Sequence, residues 1–269
     1  MHENKLKKLL VAGNPALNGW CSIGNSLTAE IMASQGYDSV TIDIQHGALD
    51  YGDALVMLQA IRTSTATPMV RVPWRDPGYI MKALDAGAMG IICPMVNTRD
   101  EAEEFVSYLR YPPQGQRSFG PTRAAIAMPG YGVDANNEVL ALAMIETAEG
   151  MANLNEIVAT PGLDGIYVGP ADLTLGTQNG KLQPGFDRQE PVMIDMIKRI
   201  ASTCRESGIA ACLHCGTPEY AAQAIGWGYN LTTVGGDTRL LAGAASTSVA
   251  TWRTLNRSER DTTPDGALY

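Results

Sequence analysis

The sequence has no apolar run near the roughly 18 residues that a bilayer-spanning helix needs, which excludes a helical membrane protein. It also lacks a clustered basic face. Twenty Lys and Arg stand against 28 Asp and Glu, for a net charge of −8 and a pI near 4.9. A phosphate-backbone partner is excluded on that balance, and a small-molecule partner is expected. The opening MHENKLKKLLVAG has no long apolar core of the kind a signal peptide carries. It reads as a first amphipathic helix, with a cytoplasmic location expected. Cysteines are few and odd in number: Cys21, Cys93, Cys204, Cys212 and Cys215. Cys21, Cys93 and Cys212 lie inside predicted strands, so reduced, buried thiols are expected rather than a disulfide framework. Cys212-Leu-His-Cys215 has the spacing of a zinc or redox pair, but no second CxxC or histidine pair accompanies it, which favours packing. No GxGxxG follows the first predicted strand, which argues against an open, doubly wound dinucleotide-binding sheet.

What is present is a repeated grammar. Four segments, ASQGYDSVTID (33–43), LDAGAMGIICP (84–94), ATPGLDGIYVGP (159–170) and IGWGYNLTTVG (225–235), each read as a helix stopped by glycine, a short turn and a β-branched strand. Between them lie GWCSIG (19–24), TPMVRVP (67–73), VLALAMIE (139–146) and IAACLHC (209–215), which brings the strands to eight. They are continuously apolar rather than alternating, as strands buried on both faces of a parallel sheet are. Helix starts fall between them: Asp76-Pro77, a capping box at Thr98-Arg-Asp-Glu101, and Thr217-Pro218-Glu219. With 269 residues, 45% of them hydrophobic, the pattern predicts an α/β fold, one (β/α)8 TIM barrel over residues 1–255 that includes the N-terminal helix. The polar tail 256–269 is expected to be peripheral.

Active sites of such barrels lie at the C-terminal ends of the strands. The polar residues there are Trp20, Asp43-Ile-Gln45-His46, Arg71, Glu146, Asp172, His214 and Gly235-Gly236-Asp237. Glu146 and Asp172 come from neighbouring strands, and two carboxylates about 4 Å apart repel by about 4 kcal/mol at an effective dielectric of 20. A cation or a shared proton resolves that, and the hard ions Mg²⁺ and Mn²⁺ suit two carboxylates with open positions. Singly, each acid also reads as a helix cap; together on one rim they favour a metal. At Gly169-Pro170-Ala171-Asp172 the backbone opens a helix and presents N–H groups to an anion, although a bare turn has the same sequence. Arg71 offers a fixed fork for a carboxylate or enolate oxygen, with a salt bridge to a rim acid as the alternative. His46 follows Asp43, a carboxylate able to orient it as a general base. Asp85 occupies a last helical turn, where the dipole disfavours an acid by about 0.3–1 kcal/mol; an exposed acid that tolerates the penalty is the simpler account, and a histidine or arginine across a subunit contact is the functional one.

Taken in order, IDIQHG (42–47), VRVPWRDP (70–77), LRYPPQGQRSFGPTRA (109–124), MIET (144–147) and VGPADL (168–173) resemble the HpcH/HpaI aldolase family, over about Lys5 to Ala250. The resemblance implies class II, metal-dependent pyruvate aldolases. Glu146 and Asp172 would hold Mg²⁺ or Mn²⁺, with Co²⁺ or Zn²⁺ as alternatives, and no organic cofactor would be needed. Arg71 would stabilise the C2 enolate oxygen. His46, paired with Asp85 of a neighbouring subunit, would move protons. The Gly169–Asp172 backbone would take the pyruvate carboxylate, and Trp20 would wall the pocket. It further implies a homo-oligomer, a hexamer built from trimers. Lys82, the one lysine near these motifs, is expected to point away from the mouth, so that no Schiff base is used.

Two positions depart from the family pattern: Gln45, where relatives carry glutamate before the histidine, and Met144, where they carry glutamine before the metal glutamate. Both neighbour the metal waters in the family. His214 stands where relatives often have an aliphatic residue, and points to a polar or acidic acceptor aldehyde. The same site would also serve oxaloacetate decarboxylation or a cyclisation, and a non-catalytic binding protein is the remaining alternative.

Overall fold

The computed structural model describes residues 3–256. Eight strands, β1 (Ala16–Cys21), β2 (Ser39–Asp43), β3 (Thr67–Arg71), β4 (Gly90–Cys93), β5 (Leu140–Ile145), β6 (Gly165–Val168), β7 (Ala210–His214) and β8 (Leu231–Gly236), follow one another around a closed barrel. Each pairs in parallel with the next, and β1 closes onto β8. The expected (β/α)8 barrel is therefore the fold. All four glycines expected to stop helices, Gly36, Gly87, Gly162 and Gly228, have positive φ. That conformation costs an L-residue its Cβ clearance and costs glycine nothing.

Two apolar layers account for the continuously apolar strands. The outer one fills the space between strands and helices, with Val40, Ile42, Val70, Ile91, Ala141, Ile166 and Leu213 among its strand residues. The inner one fills the barrel lumen with Met69, Ile92, Leu142, Met144, Tyr167 and Cys212, and Leu6 and Leu10 plug its lower end. Those two leucines belong to the N-terminal helix Lys5–Val11, which Asn4 both caps and ties to Met89 O and Glu138 O through its side-chain amide.

Helix starts match their sequence signals at Asp76, Thr98 and Thr217, whose side chains accept the backbone N–H three residues on. The Thr98 box differs in one half: Glu101 reaches the Asn97 amide, one residue earlier than a capping box requires, and also pairs with Arg75. The last helix, Asp237–Leu255, is different in kind. Beyond Asp237 none of its residues is buried, and Leu240, Leu241, Val249, Trp252 and Leu255 are exposed. Of the tail 256–269, residues 257–269 lie outside the described residues. Among the described residues no helix is long and apolar enough to cross a membrane. The cysteines are all unpaired and buried, and burial pushes each thiol above its ordinary range.

Candidate active site

The C-terminal ends of the strands enclose a cavity of about 650 Å³ lined by Trp20, His46, Arg71, Met144, Gly169, Ala171, Asp172 and His214, among others. Most residues expected at the mouth are thus brought together. Its centre is Asp43, the last residue of β2 and 2% exposed. The Asp43 carboxylate accepts from Arg71 Nε at 2.9 Å and Nη2 at 2.6 Å, from the Trp20 indole at 3.2 Å, and from the Gln45 and His46 amides at 3.1 and 3.2 Å. Burial alone would raise this carboxyl; the hydrogen bonds and charge of Arg71 outweigh it and hold Asp43 below the usual carboxylate range. The salt bridge to a rim acid is therefore real, and it fixes Arg71 with its guanidinium 4.8 Å from the Trp20 ring centre. His46 is exposed on the loop, and Asp43 anchors its backbone rather than its ring.

Glu146 stands one residue past β5 and is 3% exposed. Its Oε1 accepts the Met95 amide at 2.8 Å, from a loop where Met95 adopts φ 57°. Burial pushes the Glu146 carboxyl up to about 7, and the negative charge of Asp172 adds to the rise while Arg71 opposes it. Asp172, exposed, lies in the first turn of the helix Pro170–Gln178 that follows β6. Gly169 caps that helix, and a Cβ there would meet Glu146 Oε2 at 2.7 Å and Met144 Cε at 2.9 Å. Glycine thus lets the backbone approach the carboxylate without shifting either side-chain end. Pro170 is buried beneath the same turn and has no N–H to satisfy.

Gln45 is partly buried, and its side-chain oxygen is enclosed without a hydrogen-bond partner among the described residues. Asp85 stays out of the cavity. Its Oδ1 meets Arg117 Nη2 at 2.7 Å, so the partner its helix position asks for is supplied within the chain, and burial still leaves its carboxyl raised. Asp237 is spent on structure, accepting from the Ser22, Ile23 and Thr238 amides. Lys82 lies 4.7 Å from the Tyr51 ring centre, outside the mouth.

The side of the mouth at β7 and β8 is aromatic. His214 meets Trp20 edge-on at 4.8 Å, stacks on Phe186 at 4.7 Å, and its Nδ1 is 3.1 Å from the Tyr167 hydroxyl. Burial, with Arg71 adding to it, depresses the imidazole to about 3 and keeps it neutral. Tyr167 also contacts Thr233 at 2.6 Å, over a lumenal network in which Asn18 joins Thr233, Ser39 and Thr41. Tyr167, Phe186 and Arg239, which complete this wall, were not among the sequence candidates. Tyr167 carried a signal as the one polar group inside an apolar strand; Phe186 and Arg239 lie in irregular and helical stretches that the strand-end rule does not search.

A closed parallel barrel that gathers carboxylates, an anchored arginine and a helix N-terminus at the C-terminal ends of its strands has the build of a barrel enzyme. The HpcH/HpaI aldolase/citrate lyase model matches residues 19–244. The chain belongs to this family. It is 40% identical to the hydroxypyruvate/pyruvate aldolase of Rhizorhabdus wittichii over 253 residues, 94% of this chain and all of that one. It is 35% identical to the 4-hydroxy-2-oxo-heptane-1,7-dioate aldolase of Escherichia coli, over 92% of this chain and 94% of that one. The structure of an HpcH/HpaI aldolase/citrate lyase family protein from Burkholderia cenocepacia superposes with a TM-score of 0.85 at 33% identity, covering 93% of this chain and 99% of that one.

Proposed function

We propose that this enzyme cleaves a 4-hydroxy-2-oxo acid reversibly to pyruvate, or a close 2-oxo acid, and an aldehyde, with a divalent metal ion held by Glu146 and Asp172. The observation that carries the reading is the Glu146 carboxyl. It is buried, it is pushed up to about 7 with Asp172 contributing, and Oε1 is already occupied by Met95. A cation beside Oε2 would relieve that charge. Two carboxylates form an all-oxygen donor set, which fits Mg²⁺ or Mn²⁺ better than Zn²⁺ or Co²⁺. Among the described residues no third His, Cys, Asp or Glu joins them, so water and substrate oxygens would complete the shell. When bound, the ion supplies Lewis acidity at the 2-oxo group.

The chain's own residues divide the remaining work. Asp43 engages Nε and Nη2 of Arg71, which leaves Nη1 for the oxygen that gains charge as the C3–C4 bond breaks. The Ala171 and Asp172 amides, open at the helix start beyond Gly169, suit the substrate carboxylate. Trp20 closes the floor beneath it. Gln45 and Met144 replace acidic and amide groups beside the same acids, and with them the proton route falls to His46. Asp85 keeps Oδ2 free of Arg117, and in a homo-oligomer, the hexamer implied by the resemblance, it would orient His46 of an adjoining copy. The exposed apolar residues of the helix Asp237–Leu255 support such an assembly.

Exchange of the pyruvate methyl protons for deuterium tests the reading without knowledge of the aldehyde. Exchange is expected with Mn²⁺ or Mg²⁺ and is expected to vanish on chelation and in Glu146→Gln. Exchange that persists with chelator would sink the metal assignment. A retro-aldol screen that detects pyruvate then identifies the aldehyde.

A further inference from the structure

The cavity has a second cation, on the Phe186 side of its lining. Arg239, in the first turn of the C-terminal helix, lines the cavity with its guanidinium carbon 4.7 Å from the Phe186 ring centre. Phe186 stacks on His214, which meets Trp20, and Trp20 lies under Arg71. Two arginines thus stand at the ends of one aromatic row. They differ in what holds them. Arg71 is paired with Asp43, whereas among the described residues no carboxylate or other acceptor lies within hydrogen-bond distance of Arg239. Both supports of Arg239 are anchored: Asp237 pins the helix start to the Ser22 and Ile23 amides, and Asp187, next to Phe186, accepts from Gly216 N at 2.6 Å and Thr217 Oγ1 at 2.7 Å. A partnerless planar cation on a fixed base, facing a cavity, is suited to bind an anion through two parallel hydrogen bonds. The 2-oxo acid end is taken by the acids, Arg71 and the helix start, so this anion must come from the other half of the substrate.

We propose that Arg239 is the specificity residue for the aldehyde half, and that it selects aldehydes ending in an anion, a carboxylate or a phosphate. His214 cannot supply that charge, because it is held neutral; beside Arg239 it offers a hydrogen bond to the oxygen of the aldehyde. The acceptor preference expected for His214 is therefore shared between a neutral imidazole and a cation that the strand-end rule missed.

The inference rests on the aldol reading, and the experiment separates the two. Aldol addition is measured for succinic semialdehyde against butanal, and for glyceraldehyde 3-phosphate against glyceraldehyde, in the parent enzyme, Arg239→Met and Arg239→Lys. For one pair or both, the charged-to-neutral ratio of kcat/KM is expected to fall roughly 10- to 100-fold in Arg239→Met, mainly through KM, as losing a charged hydrogen bond predicts. Arg239→Lys is expected to retain part of the ratio, since it keeps the charge without the fork. The pair that responds identifies the anion. Ratios within about twofold of the parent in both variants overturn the assignment. Pyruvate deuterium exchange is followed alongside: exchange present with unmoved ratios overturns Arg239 alone, whereas exchange absent from the parent overturns the reading beneath it. If Arg239→Met does not fold, Arg239→Lys decides, because a ratio equal to the parent's with a lysine there denies the fork its role.

Discussion

Asp43 holds five donors on one buried carboxylate, two from Arg71 and one each from Trp20, Gln45 and His46. Removing it strands the Arg71 charge in a buried site, and breaking such a pair typically costs about 3–5 kcal/mol. Asp43→Ala is expected to lose that much stability in urea denaturation and to slow pyruvate exchange about 100-fold. Asp43→Asn keeps the shape and should lose less stability but similar activity. A loss below about 1 kcal/mol in Asp43→Ala would show that Arg71 does not depend on it. Single residues were unevenly legible. Glu146, Asp172 and Arg71 end apolar strands or follow them, and that shared position makes them candidates together where each alone also reads as a cap or a salt bridge. Asp43 ends a strand as well, yet its role depends on donors from four places in the chain that no spacing reveals. Arg239 could not be found by the same rule, because a helix start with one arginine looks like any solvated turn.

At the scale of elements, the pattern located all eight strands and missed mainly their edges. β1 runs from Ala16 to Cys21, not 19 to 24, because Asn18 interrupts the apolar run. That asparagine is satisfied inside the lumen by Ser39 and Thr41 of β2 and Thr233 of β8, partners from two other strands. The loops that aim the acids follow the same logic: Met95, left-handed after β4, presents its amide to Glu146, and Gly169, after β6, lets the next helix begin against Glu146 Oε2. A methyl at Gly169 would meet Glu146 Oε2 and Met144 Cε both below 3 Å, so both side-chain ends must shift. Gly169→Ala is therefore expected to cost about 1–3 kcal/mol from overpacking, and to weaken Mn²⁺ binding at least tenfold by moving Glu146. Titration calorimetry checks the second effect; parental affinity would mean that the Glu146 carboxylate yields without losing the ion.

The whole molecule adds two properties that no single element carries. The helix Asp237–Leu255 exposes Trp252 to 65% and Leu255 to 78%, along with Leu240, Leu241 and Val249. A helix that buries nothing after its first residue gains little from the barrel, and packing against another copy would supply what is missing. Light scattering is expected to give a mass several times that of one chain and a smaller one for Leu241→Asp combined with Trp252→Asp; a monomeric parent would sink this. The second property is linkage between protons, metal and stability. Glu146 has an ordinary value of 4.5 and is raised to about 7 by burial. Between those values the metal-free fold keeps a proton that the unfolded chain has released, so this group's contribution is complete below about 4.5 and is lost as pH rises through about 7. Glu146→Gln has no such proton to lose. In chelator, the Tm of Glu146→Gln relative to the parent should climb as pH goes from 5 to 8, and a gap independent of pH would contradict the burial argument. With Mn²⁺ the parent should recover what it lost, because the ion takes the place of the proton. The Tm gained on adding Mn²⁺ is then larger at pH 8 than at pH 6, and absent in Glu146→Gln at both.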